Sequence, residues 1–420
     1  MKIGIFDHMS CKLGGGQLVA AQMAALLSGE HDVELIHCGE GYSLDSLAKA
    51  FEVDLSRVNE RLLRDSHESF NIPGKIGTGA YLCRGLESNR ELTRRYDLFV
   101  YSGHRVPPFS SARQGVIYCH FPFEGSPSEM FNSADQFRRR FFLSRWTRMA
   151  AYECLWRYRM SSYKTIFANS AFTAHWIKRV WKKEAEVVYP PVSLRVPLAE
   201  KRNEIVSIGR FIDNYNSKGH AQQLNAFAQL VHRIGPGWRL NLIGFCTMAP
   251  KEAAYLEELR WIARDLPVKF VVNAERQEML RHLAEAKIFW HTAGIMDDGV
   301  TAPERMEHFG IATVEAMLAG CVPLAPAHGG QVEIVEHGVS GYLCKDAEAL
   351  VNYTAQLVGD QHMLNRMGRC AIARGHVFSL AKFAQRIDQM VNDCLIGFDR
   401  PTDQKIVDAN QPEALGHRTE

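Results

Sequence analysis

No apolar run in the chain reaches the roughly 18 to 20 residues that a membrane-spanning helix needs. The ten cysteines are scattered and no two form a C-x-x-C pair. That argues against a zinc site or a disulfide frame. Cys119, Cys321 and Cys344 sit in apolar runs, so reduced, mostly buried thiols are expected. Neither sign of charge is in excess: 49 Lys and Arg face 47 Asp and Glu, for a net charge of +2, so the overall balance offers nothing to nucleic acid. The opening residues, MKIGIFDH, read as a short strand and not as a signal peptide. Together these absences predict a cytosolic protein, touching a membrane at most from that side. A G-x-G-x-x-G fingerprint is also missing, which weakens any dinucleotide reading.

What is present suits a soluble α/β protein. At 420 residues the chain is long for one domain, and two of about 200 residues are expected. In the first half, residues 2–6 read as a buried parallel strand. Gly14, Gly15 and Gly16 follow as a turn, and residues 18–27 carry helical periodicity. Strand, glycine turn and helix let a ligand approach the backbone, although the same pattern also serves as a tight connection. Further strands are expected at 33–37, 97–103, 115–120 and 163–170. His120 stands at the carboxyl end of the run GVIYCH, where ligands of parallel sheets gather, yet a histidine there is often structural. Residues 137–160 hold seven arginines among aromatic and aliphatic residues. They predict one or two amphipathic helices, either packed on a core or set against an anionic membrane or lipid diphosphate.

The second half repeats the alternation of strand and helix, which predicts a second doubly wound parallel sheet. Residues 204–211 read as a strand ending in Gly209 and Arg210, and Arg210 and Lys218 flank the loop that follows. Two cations there could neutralise a diphosphate leaving group. The stretch EHFGIATVEAMLAG, residues 307–320, places Glu307 and Glu315 on either side of Phe309, Gly310 and Ile311. Apolar spacing predicts a helix from Ile311, so its free N–H groups would lie beside Gly310 and could hold an anion. The two carboxylates would repel phosphate and are better explained as acceptors for sugar hydroxyls.

This stretch resembles the E-x7-E motif of family 4 retaining glycosyltransferases, and the likeness runs on through residues 319–344. YCHFP, NSAFTA and VVYPPV resemble the dolichol-pathway mannosyltransferases and their bacterial relatives. The resemblance implies a GT-B fold of two Rossmann-like domains: residues 1–195 for the acceptor and 196–378 for the nucleotide sugar. Residues 379–398 would be a helix crossing back to the first domain, and 399–420 a disordered tail. It implies that Arg210, Lys218, Phe309, Gly310 and Ile311 hold the donor diphosphate region. Glu315 would take the ribose, Glu307 the transferred sugar, and His120 would lie beside that sugar. The loop of Gly14, Gly15 and Gly16 would line the cleft on the acceptor side.

The expected activity is retaining transfer of a hexose to a lipid-linked or oligosaccharide acceptor, with GDP-mannose favoured over UDP-glucose or UDP-N-acetylglucosamine. No aspartate pattern suggests a divalent ion, so neither metal nor cofactor is expected. An epimerase or phosphorylase on the same fold, or a catalytically silent scaffold partner, are the alternatives. Retention of all five of Glu307, Glu315, Arg210, Lys218 and His120 argues against the scaffold.

Overall fold

The structure, a computed structural model, describes residues 1–7, 14–37, 43–63, 90–105, 107–123, 142–194, 197, 199–213, 217–297 and 300–396. The expected basic cluster at Arg138, Arg139 and Arg140, and the expected tail at 399–420, lie outside the described residues.

Two parallel sheets organise the chain. The first contains β1 (Lys2–Asp7), β2 (Asp32–His37), β3 (Val58–Leu62), β4 (Leu98–Gly103), β5 (Gln114–Cys119), β6 (Thr165–Ala168) and β7 (Glu186–Val187), in the spatial order β3-β2-β1-β4-β5-β6-β7. Its central strands are apolar on both sides because helices cover both faces. Ile3, Ile5 and Val100 meet Val19 and Met23 of the helix Gly15–Leu27 in one core layer. Phe6, Phe99 and Ile117 meet Trp156, Ile177 and Trp181 in the other. The helix Phe142–Ser161 supplies Trp156 and Met160 to that layer and leaves Arg157 and Tyr158 exposed. The helix Leu44–Phe51 and strand β3 fall in a polar region without a clear periodic pattern. The strand has only one fully buried residue, Val58, so no apolar run announces it.

The second sheet contains β8 (Arg202–Ile208), β9 (Arg239–Gly244), β10 (Val268–Val272), β11 (Ala286–Trp290), β12 (Val322–Pro326) and β13 (Tyr342–Cys344), in the order β10-β9-β8-β11-β12-β13. The expected boundary near residue 195 falls between β7 and β8. In each sheet the order reverses beside the first strand, at β1/β4 and at β8/β11. The carboxyl ends of strands at such a reversal form a crevice. The two crevices face each other.

The chain passes between the halves twice. Val192 N–H donates to the Phe378 carbonyl at 2.9 Å, and Val192 bridges to Ser379, so the two passages lie side by side. The helix Leu380–Ile396 then returns to the first half, where Phe383, Ile387, Met390 and Val391 are buried in the same core as Val19 and Met23. Among the described residues no helix is long and apolar enough to cross a membrane.

Candidate active site

The site is built where the two crevices meet. Gly310 has φ 125°, a conformation that side chains rarely adopt, and a Cβ there would strike the Gln331 side-chain amide. This sharp turn starts the helix Ile311–Leu318, as the spacing predicts. Thr313 and Val314 N–H both return to the Gly310 carbonyl, and the first amides of the helix, at Ile311 and Ala312, have no acceptor within it.

Lys218 Nζ donates to Glu307 Oε2 at 2.5 Å, and His291 Nε2 lies 3.3 Å from the same oxygen. His291 follows β11 directly and is buried. Burial would raise the Glu307 carboxyl, but Lys218 and then His291 outweigh it and hold the group well below its ordinary value. Glu307 is therefore ionised near neutral pH. Arg210 occupies the loop after β8, on the opposite side of Gly209 from that strand. Among the described residues its guanidinium has no hydrogen bond or ion pair. The two cations predicted to flank the loop thus differ: one is paired with a motif glutamate and the other is not.

Glu315 is one turn inside the helix and buried. Arg276 Nη2 donates to its Oε1 at 3.2 Å. Burial pushes the Glu315 carboxyl up, and Arg276 offsets part of that. Both residues line a cleft of about 600 Å3 that also touches Leu18 and Gln22 of the first half and Val192 of the connection. The side chain of Phe309, expected at the donor, turns away from the cleft. It stacks on Tyr189 at 5.7 Å and meets Phe378 edge-on, so only its backbone remains available to a ligand.

The first half supplies the opposite wall. Asp7 at the end of β1 accepts from Gln17 Nε2 at 3.1 Å, which ties the strand end to the first turn of the glycine-led helix. A Cβ on Gly15 would come within 2.7 Å of Ile311 Cδ1, across the cleft. On Gly16 it would come within 3.2 Å of His120 Nε2. Gly14 is the extended residue that precedes the helix. Two of the three glycines thus approach closely groups that are candidates for the site, Ile311 and His120.

His120 is buried, with Nε2 3.0 Å from Ser102 Oγ at the end of β4. Its carbonyl accepts from Asn169 Nδ2 at 2.9 Å, and its ring lies 5.0 Å from that of His104. Burial, with His104 and His308 adding to it, holds His120 well below its ordinary value and keeps it neutral. His308 stacks on Phe121 with ring centroids 3.9 Å apart, and burial above all brings it down to about 3.

Direct bonds join the halves. Ser170 Oγ donates to the His308 carbonyl at 2.5 Å. Glu333 accepts from Ala171 N–H at 2.7 Å, from Phe172 N–H at 2.9 Å and from Tyr189 Oη at 3.1 Å. Glu333 and Ala171 are 162 positions apart, so no local pattern in the sequence pairs them. His291 and Arg276 also escaped assignment, although His291 had the same strand-end position that singled out His120. The loop at 295–306 holds a short helical turn at Pro303–Arg305 and an Arg305–Asp297 ion pair of 3.3 Å.

Residues 194–374 match the family of glycosyl transferases group 1. Similar curated proteins include a GDP-Man:Man(3)GlcNAc(2)-PP-Dol alpha-1,2-mannosyltransferase of Mus musculus, 31% identical over 50% of this chain and 45% of that one. One of Dictyostelium discoideum with the same description is 24% identical over 94% of this chain and 86% of that one. The alpha-1,3/1,6-mannosyltransferase ALG2 of Homo sapiens is 25% identical over 69% and 71%. The match to the mouse, human and frog alpha-1,2-mannosyltransferases spans about half of their length. Among solved structures, HepE of Anabaena in complex with UDP and glucose superposes with a TM-score of 0.64, at 17% identity over 94% of this chain and 100% of that one. WaaG, a glycosyltransferase of lipopolysaccharide biosynthesis, does so with a TM-score of 0.58, at 15% identity over 93% and 99%. Facing parallel sheets, a returning final helix and the 194–374 match agree: this is a GT-B chain whose C-terminal half is a domain of the glycosyl transferases group 1 family.

Proposed function

We propose that the protein is a retaining mannosyltransferase that moves mannose from GDP-mannose to a lipid-linked oligosaccharide. The observation that carries the reading is the Lys218–Glu307–His291 cluster in the half that holds the Ile311 helix end, with Gly15 of the other half against Ile311 and Gly16 against His120. The GDP-Man named for the curated relatives supports the choice of donor.

The barrier in such a transfer is departure of the nucleoside diphosphate. Its bond to the sugar C1 breaks as the acceptor oxygen forms a bond to C1 on the same face. The acceptor proton passes to the leaving phosphate oxygen. Arg210, Lys218 and the free amides at Ile311 stabilise the charge that grows on the diphosphate. Ionised Glu307 accepts from hydroxyls of the sugar and holds its ring. Glu315, with Arg276 beside it, accepts from the ribose. Neutral His120 lies against the sugar and the incoming acceptor. Cationic side chains take the part that a divalent ion plays in other transferases, so transfer is metal-independent. The enzyme works on the cytosolic side, and the basic stretch at 137–160 meets the membrane that carries the acceptor.

The test is a thermal-shift screen against GDP, UDP, ADP and their sugars, with and without chelator. A ligand that binds only the folded protein adds about 2.7 kcal/mol of stability at 100 times its Kd. A raised melting temperature with GDP and GDP-mannose alone, unchanged by chelator, supports the reading. A shift with UDP compounds replaces the donor. Chelator-sensitive transfer restored by magnesium or manganese overturns metal independence.

A further inference from the structure

The amino end of the second sheet holds an ammonium group that the reading above makes no use of. Lys201, the residue before β8, is partly buried. Its Nζ donates to the Ala286 carbonyl at 2.6 Å, to the Ala319 carbonyl at 2.7 Å and to the Leu283 carbonyl at 3.4 Å. Those three acceptors belong to the carboxyl ends of two helices. Leu283 and Ala286 close the helix Arg276–Glu285, and Ala319 caps the helix Ile311–Leu318. Cys321 joins the same cluster. Its thiol, kept protonated by burial, donates to the Leu283 carbonyl at 3.2 Å and to the Ala286 carbonyl at 3.3 Å. Glu285, at the end of the first of these helices, pairs with Arg202 at 3.1 Å and not with Lys201.

An ammonium has three protons to donate, and here each finds a helix-end carbonyl. The last carbonyls of a helix have no partner within it and carry the negative end of its dipole. Two such ends brought together repel each other, and Lys201 places one cation between them. The helices also share a core layer, in which Leu280 and Leu283 of one meet Ala316 of the other above Val206 of β8. Towards the cleft the same two helices meet a second time, where Arg276 Nη2 donates to Glu315 Oε1 at 3.2 Å. Arg276 Nε is buried and has no partner among the described residues, so that one bond fixes the guanidinium. The aim of Glu315 into the cleft therefore depends on how the two helices lie against each other.

We propose that Lys201 is a positioning residue for donor binding: by fastening the carboxyl ends of the helices Arg276–Glu285 and Ile311–Leu318, it sets the register in which Arg276 holds Glu315 towards the donor. The inference rests on the reading of Glu315 as acceptor for the ribose hydroxyls. Lys201 itself touches no ligand. It precedes β8, and the cleft lies at the other end of that strand, about 20 Å away at about 3.3 Å per residue. Without the ammonium the two negative ends part, and helices that open at one end turn at the other. Arg276 then draws away from Glu315, and the carboxylate loses its aim at the ribose. Arg210 and Lys218 stand on the loop after β8, outside both helices, and keep their hold on the diphosphate.

The test is calorimetry on the full chain with GDP and UDP, each compared with its dideoxyribose analogue. Wild type is expected to prefer the nucleotide that keeps its ribose hydroxyls by about tenfold or more, the range for a hydrogen bond to a charged group. In Lys201→Met that preference should shrink severalfold, while affinity for the dideoxy analogue holds. Lys201→Arg restores a cation and should recover the preference. Lys201→Gln keeps a donor without the charge; it should also lose preference, and it reports where Lys201→Met folds poorly. Glu315→Ala should abolish the preference, and adding Lys201→Met to it should change the preference no further. An unchanged preference in the Lys201 variants, or equal weakening of both ligands, would overturn the inference and leave the role of Glu315 standing. A wild type that binds the nucleotides without distinguishing them from the analogues removes the ribose role of Glu315, and this inference with it.

Discussion

Lys218 Nζ and Glu307 Oε2 are 2.5 Å apart, although the lysine is suited to a diphosphate and the glutamate to sugar hydroxyls. In the proposed reaction the pair acts at both ends of the reacting bond. Replacing Lys218 with alanine removes a cation from the leaving group and frees Glu307 to repel it. Transfer should fall by about 10²- to 10³-fold, mainly in kcat, by analogy with the loss of one charge-stabilising donor. Arg210→Ala should fall similarly, with less effect on stability because its guanidinium supports no partner among the described residues. Steady-state kinetics with melting curves on the same samples separate the two variants.

The two motif glutamates should give opposite pH dependence. Glu307 is held below its ordinary value of 4.5. The unfolded chain then binds more protons than the folded one as pH falls below that value. Its stabilising contribution is complete above about 4.5 and is lost as pH drops towards the folded value. Glu315 is raised above 4.5, so ionising it weakens the fold as pH climbs through the range above 4.5. Urea midpoints between pH 3 and pH 7 check this. Wild type should lose ground to Glu307→Gln on acidification, and to Glu315→Gln as pH rises.

Gly15 and Ile311 touch across the cleft. Gly15→Ala places a methyl within 2.7 Å of Ile311 Cδ1, so the Ile311 side chain must turn aside or the walls must separate. A displacement of this kind costs about 10²-fold in rate when reacting groups lose alignment. The melting temperature should change little, since the residue begins a helix that alanine favours. Adding Ile311→Ala should restore part of the activity, and an unrescued double variant would count against the steric account.

Glu333 accepts from two free amides at the start of the helix Ala171–Trp181 and from Tyr189. Burial first, and then the nearby Glu333 charge, keeps Tyr189 protonated, with its value pushed up to about 12. Glu333→Ala should cost about 1 to 2 kcal/mol, the range for losing a side-chain cap at a helix start. It should also enlarge the radius of gyration measured by X-ray scattering. Glu333→Gln keeps an acceptor and should fall between the two.

Much of the site could be read from residues that are close in sequence. The helix start at Ile311 followed from spacing and from a glycine that had to adopt positive φ. The cations at 210 and 218 followed from one strand-to-helix loop. Gly15 and Gly16 followed from a turn after a strand. The pairings that tune these groups did not follow. Arg276 with Glu315 is 39 positions apart, and Ala171 with Glu333 is 162. Local periodicity carries no information on which charges meet once two sheets face each other. Phe309 shows the reverse limit: its place in a motif suggested contact with the donor, while packing against Tyr189 and Phe378 claims its ring.

The hydrogen bond from Val192 to Phe378 also bears on how this protein can move. Two passages bonded side by side act as a hinge with one axis, so the halves can swing but hardly slide or twist. A chain cut after the first sheet would also lack Phe383, Ile387 and Met390, and would expose the face of the helix Gly15–Leu27 that those residues cover. The first half is therefore not a complete folding unit as a continuous stretch, and attempts to express the first 195 residues alone should yield aggregates.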